Sequence, residues 1–244
     1  MQDTSISWLE PVVLGLRIGA MVTVALIGIV WLVRSDATSR RAARGAVGLA
    51  VVLFVWGTTM VLLARWGVFA AGASGTAPLI PLAALLPPLI AWRLLPRFAS
   101  VTAFVDAVPQ AGLVGVQVFR AMGGVFLVLW KIGEMPGEFA LPVGIGDVLT
   151  GALALPVAWA CARRMPGHVV ALVAWNLFGM ADHLMAIGLG MSTSPGPLQQ
   201  LALDQPNLLI GRYPLVLIPT FIVPLSLTLH GLSLWKLRRW RRTR

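Results

Sequence analysis

The sequence predicts an all-α fold, a polytopic membrane helix bundle of about seven transmembrane helices, with the N-terminus outside and the C-terminus in the cytoplasm. Hydrophobic residues make up 58% of the chain and charged residues 11%, whereas soluble domains contain about 45–50% and about 25% respectively. The apolar residues form runs about 20 residues long, enough to cross a hydrocarbon core about 30 Å thick. The basic residues also lie mostly on one side of these runs.

Each run is predicted to be a helix, because a backbone in lipid must satisfy its hydrogen bonds within its own segment. A linker containing Asp106 and Pro109 precedes the fourth run, and a polar segment, 191–212, precedes the seventh. No internal repeat is apparent, so residues 1–244 are predicted to form a single transmembrane domain. The predicted spans are 11–33, 46–63, 77–95, 112–130, 141–160, 169–190 and 213–234.

The positions of Lys and Arg predict the orientation, because positively charged loops stay in the cytoplasm. The opposite side carries only Arg65, Lys131 and Arg212, which are mixed with acidic residues. The first ten residues are acidic where a cleavable signal peptide needs positive charge, so the first run is predicted to remain as a span. The cytoplasmic side is assigned the cations Arg34, Arg40, Arg41, Arg44, Arg93, Arg97, Arg163, Arg164, Lys236, Arg238, Arg239, Arg241, Arg242 and Arg244.

The formal net charge of +10 follows from this topology and from attraction to anionic cytoplasmic lipid, so nucleic acid is not an expected partner. In the C-terminal tail, Trp235 and Trp240 stand among the cations. The tail is therefore predicted to anchor at the interface with anionic lipid, and the alternative is a tail that binds a partner protein.

Polar residues inside the spans are the candidates for function, because a charge at the bilayer centre costs at least about 2.5–3.5 kcal/mol. His230 also lies in a span. The candidates for binding a ligand or handling a proton are Arg17, Gln117, Arg120, Asp147, Asn176, Asp182 and His183.

Helical spacing indicates which way two of these residues point. In the fourth run, Gln117, Arg120 and Gly124 share one face at i, i+3 and i+7, and in the fifth run Asp147 shares a face with small residues. Stripes of small residues are typical of closely packed membrane helices, so Arg120 and Asp147 are expected to point into the bundle. Whether they pair directly stays open, because side chains lean toward the N-terminus of their own helix.

Depth predicts a second grouping. At 1.5 Å per residue, Arg17, Asp147, Asp182 and His183 lie on the order of 9–12 Å below the outer surface. Four ionisable groups at one level indicate a polar cavity that opens outward. The alternative is a structural network in which every charge is paired and no ligand binds.

Neither a metal nor another cofactor is predicted. A metal site needs three or four converging donors, and His168 and His230 are expected toward the cytoplasmic side, away from His183. The single Cys161 cannot form an internal disulfide or a cysteine cage. The sequence has no dinucleotide fingerprint, phosphate-binding lysine motif or serine nucleophile elbow. A retinal Schiff base is also excluded, because the last run has only Lys236, at its cytoplasmic end.

Four segments resemble a family of uncharacterised bacterial integral membrane proteins. They are QVFRAMGGVFLVLW (117–130), FALPVGIGDVLTG (139–151), WNLFGMADH (175–183) and PLVLIPTFIVP (214–224). The resemblance covers mainly the C-terminal half. It implies a multi-pass protein of the bacterial inner membrane and assigns no activity and no catalytic residue.

Three functional hypotheses follow. In the first, the cavity binds a small solute or ion for transport or sensing, with Arg17 or Arg120 holding an anionic group and Asp147 or His183 handling a proton. In the second, the chain is a structural or partner subunit of a membrane complex. In the third, which the sequence favours less, an embedded enzyme uses Asp182 and His183 as acid and base. The first hypothesis requires ligand-dependent stabilisation or solute flux, and the third requires product formation.

Overall fold

A computed structural model describes residues 8–15, 18, 19, 22, 40–70 and 79–242. Within these ranges the chain is helical with no strand, and six helices are long and apolar enough to cross a membrane. The all-α bundle and the multi-pass character are thereby confirmed. The first predicted span, 11–33, lies largely outside the described residues, although 9–15 are helical.

The helices are numbered here in chain order. The spans α4 to α7 surround the candidate site, and α4 is a composite of three helical segments. The bounds are α1, Arg40–Arg65; α2, Leu79–Leu94; α3, Ala99–Ala107; α4, Gln110–Lys131; α5, Gly137–Arg163; α6, His168–Thr193; and α7, Val223–Arg242, which follows a π-helical turn, Ile218–Ile222.

The predicted linker before the fourth span contains a helix, α3. Its nine residues are too short to cross a bilayer, which needs about 20. The Lys236 ammonium group of α7 donates to the carbonyl oxygens of Val105 at 2.6 Å, Asp106 at 3.0 Å and Val108. These bonds satisfy carbonyl groups at the C-terminal end of α3, which lack partners within the helix, and hold α3 against α7.

The bundle has two ends that differ in charge and in connections. The end where α5 and α7 begin, next to the segment 194–217, is called the loop end, and the opposite end is called the tail end. Glu10 meets the C-terminal end of α1 at the loop end, where its carboxylate pairs with Arg65 at 3.4 Å and accepts a hydrogen bond from Tyr213 Oη at 2.8 Å. The helical residues 9–15 therefore approach the loop end.

The last helix forms the centre of the bundle. In an apolar stretch of 18 residues within the span Ile218–Trp240, 78% of the residues are buried, against 6% in such a stretch of α1. Exposed apolar side chains such as Val51, Phe54 and Val55 cover α1, which is typical of a surface that faces lipid. The polar residues of α7 are therefore held in the interior.

Helices α4 and α5 pack closely, as their small residues predicted. A Cβ atom on Gly151 would overlap the backbone of Ala121, and one on Gly144 would lie 2.8 Å from the side chain of Leu127. The turn from α5 to α6 passes through Arg164 and Gly167, which have positive φ values of 50° and 78°. This turn makes α5 and α6 antiparallel neighbours, and Trp175 Nε1 of α6 donates to the Thr150 carbonyl of α5 at 2.9 Å.

We expect the loop end to face the outside. In a variant whose Cys161 is replaced by alanine, Leu203→Cys should react with a membrane-impermeant thiol reagent in intact cells, because Leu203 is 69% exposed in the segment at the loop end. Pro166→Cys, in the exposed turn at the tail end, should react only after the cells are opened. The reverse labelling pattern would contradict the orientation predicted from the charges.

Candidate functional site

The site is centred on Arg120, which lies in a 3-10 segment of α4, Val116–Gly124. A 3-10 helix has three residues per turn, so residues at i, i+3 and i+6 share a face. Gln117, Arg120 and Gly123 are accordingly all buried, whereas Gly124 is only partly buried. Gly124, the third member of the face predicted from α-helical spacing, still packs on α5, because a Cβ atom there would lie 3.3 Å from the Val148 side chain.

The Arg120 guanidinium binds two carboxylates from two helices. Nε and Nη2 donate to Asp147 Oδ1 at 2.9 and 2.6 Å, and Nη2 also donates to Asp182 Oδ2. Nη1 donates to the Gly179 carbonyl of α6 at 3.1 Å. Arg120 and Asp147 therefore pair directly, and Asp182 joins them, with all three residues buried.

Asp147, Asp182 and His183 come together at the loop-end side of Arg120, whereas Arg17, the fourth residue expected at this depth, lies outside the described residues. One carboxylate oxygen from each aspartate and one ring nitrogen of His183 all lie within 4.8 Å of one another. Asp182 Oδ1 and His183 Nε2 are buried without a hydrogen-bond partner among the described residues. Three converging donors that a metal could use are thus present, where none was predicted.

His230 belongs to the same site, which corrects its predicted position toward the cytoplasm. Its ring lies 6.4 Å from that of His183 between centroids, and its Nε2 lies 3.5 Å from Arg120 Nη1. The prediction counted residues from 213, but the helix begins at Ile218. At 1.5 Å per residue His230 is therefore about 18 Å along the helix rather than about 26 Å.

Beyond His230 a chain of polar side chains continues toward the tail end. Asn176 Oδ1 lies 3.0 Å from His230 Nδ1, and Asn176 Nδ2 donates to Ser233 Oγ at 3.0 Å. Gln110, at the start of α4, donates to the same Ser233 oxygen at 2.6 Å. Hydrogen bonds and close polar contacts thus connect the carboxylates to a partly exposed residue at the tail end.

Gln117 makes a separate polar contact with α7, in which its Oε1 accepts a hydrogen bond from Ser226 at 2.5 Å. Ser226 and Ser233 were missed as site residues, although a signal was present in the sequence. Together with His230 they lie at i, i+4 and i+7 and so form one polar face of a helix. All three are fully buried, as expected for a polar face that points into the bundle.

Three glycines make room for the buried charged and polar groups. A Cβ atom on Gly123 would overlap the carboxylate of Asp147, and one on Gly146 would overlap that of Asp182. On Gly179 a Cβ atom would overlap His230 Nε2 and lie 2.9 Å from Arg120 Nη1. Each group thus packs against a glycine of a neighbouring helix, and none of these glycines was predicted as part of the site.

A cavity of about 460 Å³ reaches the cluster from the loop end and is called the loop-end cavity. Asp147 and His183 contribute its charged or titratable lining, and apolar side chains such as Phe126, Phe139 and Ile187 form its walls. The cavity was expected to be polar. Its walls are apolar instead. Its ionisable residues, Asp147 and His183, lie where the cavity meets the cluster around Arg120, and this inner end is called the floor.

The sequence profile of a family described as Domain of unknown function (DUF8737) matches residues 77–238. The chain belongs to this family. The DUF8737 region includes all four segments that resemble an uncharacterised membrane-protein family, and it reaches further toward the N-terminus than they do. It also includes every candidate site residue except Arg17. Comparisons with curated proteins and with solved structures found no match for the chain.

Proposed function

We propose that this chain binds a small amphipathic molecule in the loop-end cavity, for transport or for sensing, in the inner membrane of a bacterium. The observation that carries the proposal is the combination of apolar walls with Asp147 and His183 at the floor. His183 lines the cavity, and its Nε2 has no hydrogen-bond partner among the described residues, so its hydrogen-bonding capacity is unused.

The dimensions support a small-molecule ligand. Ligand pockets commonly measure about 300–1,000 Å³ and combine apolar walls with a few polar groups that orient the ligand. The loop-end cavity, about 460 Å³, has this arrangement. Its apolar walls narrow the class of solute to molecules with a hydrocarbon body and a hydrogen-bonding head, because a small inorganic ion alone would leave most of the wall unused.

The surrounding helices support a role in transport or sensing. Two segments that depart from α-helical geometry lie beside the ligand site, the 3-10 segment with Arg120 and the π-helical turn, whose Ile218 and Pro219 line the cavity. Such segments often mark functional hinges and sites. The polar chain from Arg120 to Gln110 gives the cavity floor a physical connection to the tail end. At the tail end Arg239 lies 5.0 Å from the Trp235 ring, a contact that supports an interfacial anchor there.

The embedded-enzyme hypothesis has weaker support. Asp182, its proposed acid or base, uses one oxygen to accept a bond from Arg120 and packs the other against Gly146. A general acid or base must reach the reacting group. His183 lines the cavity and meets this requirement, whereas Asp182 is not among the residues that line it.

Binding should be tested with n-alkyl carboxylates, alcohols and amines of increasing chain length, added to the protein in lipid nanodiscs. Each CH₂ that enters the cavity should raise affinity about fourfold, since its burial contributes about 0.8 kcal/mol, until the cavity is full. Partition into lipid has no such limit, so a plateau in thermal stabilisation with chain length identifies cavity binding.

Ala186→Phe supplies the matched variant, because Ala186 lines the cavity and a phenyl ring there would obstruct it. Gly188→Phe is the control on the same helix, at an exposed position with nothing within 4 Å of a Cβ atom. Stabilisation should be lost in the first variant and kept in the second. If all three proteins respond alike, or none responds to any head group, the proposed function is wrong.

A further inference from the structure

We propose that Asp147, Asp182 and His183 bind a first-row divalent transition-metal ion at the floor of the loop-end cavity. This metal site goes beyond the proposed function, since it needs no occupant in the cavity above it. The three residues come from two helices, α5 and α6, which the turn through Arg164 and Gly167 makes adjacent.

The geometry brings one donor atom from each residue to within 4.8 Å of the others. Zinc binds nitrogen and carboxylate oxygen at about 2.0–2.2 Å, so two donors on one ion lie at most about 4.2 Å apart. Binding therefore requires the three side chains to move closer together than the separation of up to 4.8 Å. Arg120 restrains the carboxylates by bonding Asp147 through Oδ1 and Asp182 through Oδ2. The second oxygen of each carboxylate is left outside these two contacts.

The hydrogen bonding of the site is incomplete in a way that a cation would correct. Asp182 Oδ1 and His183 Nε2 are both buried, with residue exposures of 4% and 2%. Neither atom has a hydrogen-bond partner among the described residues. Buried polar atoms in folded proteins nearly always have a partner, and a lone pair on oxygen or on imidazole nitrogen is also a metal ligand.

The charges and the donor types indicate the kind of ion. One arginine and two aspartates give the cluster one excess negative charge inside the bundle. A site of oxygen donors alone suits Mg²⁺ or Ca²⁺, whereas an imidazole donor favours zinc and its neighbours in the first transition row. Three protein donors leave a coordination position for water or for an oxygen of a ligand, and Asp147 and His183 face the cavity from which it would come.

The test uses untagged, chelator-treated protein in nanodiscs without added amphiphile, so its result is separate from that of the chain-length experiment. Zn²⁺ should raise the melting temperature, whereas Mg²⁺ and Ca²⁺ should not. Co²⁺ should produce the visible absorption of a low-coordinate site, and Zn²⁺ should abolish that absorption by displacement. His183→Gln should lower the affinity for Zn²⁺ by at least about 10- to 100-fold, the loss known for weaker, outer-shell changes.

His168→Gln is the matched control, because His168 lies at the start of α6 at the tail end and its Nδ1 lies 2.7 Å from the Met165 carbonyl. This variant should bind Zn²⁺ like the wild type. Should His183→Gln fail to fold, Asp182→Asn takes its place, and the Co²⁺ spectrum of the wild type remains decisive. The absence of both the Zn²⁺ stabilisation and the Co²⁺ absorption, or their loss in His168→Gln alone, would overturn the proposal.

Discussion

Replacing Arg120 by methionine is expected to destabilise the bundle by about 3–5 kcal/mol, the typical loss when one partner of a buried ion pair is removed. The two carboxylates that Arg120 binds, Asp147 and Asp182, would then lose the only counter-charge that they have among the described residues. The measurement is the free energy of unfolding in mixed micelles, with denaturing detergent as the variable.

Two further proteins separate this effect from a general loss of packing. Converting both aspartates to asparagine in the Arg120→Met background should recover much of the stability, because the uncompensated charges are gone. Arg239→Met removes the ion pair between Arg239 and Asp106, two side chains that are 48% and 45% exposed. Exposed pairs contribute only about 0–1 kcal/mol to the free energy of unfolding. Equal losses for the Arg120 and Arg239 variants would show that the buried cluster is not a strong electrostatic centre.

Gly179→Ala is expected to destabilise the protein by about 1–3 kcal/mol, the usual range for adding a methyl group to a filled core. The new Cβ atom would overlap the His230 ring and press on Arg120, so relief requires α6 and α7 to separate. The same unfolding experiment measures the loss, and the affinity for any ligand of the cavity floor should fall with it.

Gly188→Ala is the matched control, because it lies in the same helix with nothing within 4 Å of a Cβ atom. At such a position alanine usually stabilises a protein by about 0.4–1 kcal/mol, since it restricts the unfolded chain. The two substitutions should therefore have opposite signs. If both stabilise the protein, the close contact of Gly179 with the charged cluster is not present in the folded bundle.

Hydropathy predicted six of the spans well, because length and apolar composition alone decide whether a segment can cross a bilayer. Helical spacing also predicted correctly that Arg120 and Asp147 point inward, since the cost of exposing a charge to lipid leaves one direction. The short helix α3 was missed, because nine residues carry too little periodic signal to distinguish a helix from a linker.

The details of the site could not be predicted, because tertiary contacts decide them. Nothing in the segment VQVFRAMGG favours a 3-10 helix over an α-helix, yet the contacts of Arg120 and Gly123 with α5 lie within it. His230 was misplaced because the helix starts five residues later than the apolar run. A cavity with apolar walls and an ionisable floor was mistaken for a polar one, because depth along separate helices does not show which groups pair with each other.

The 3-10 segment also determines how far α4 extends alongside its neighbour α5. A 3-10 helix rises about 2.0 Å per residue instead of about 1.5 Å, so the nine residues Val116–Gly124 make α4 about 4.5 Å longer than an α-helix of the same sequence. With 22 residues α4 then extends about 37 Å, close to the roughly 40 Å of its 27-residue neighbour α5. The shorter sequence thereby nearly matches the length of its longer partner, so that 22 residues run alongside most of a helix of 27.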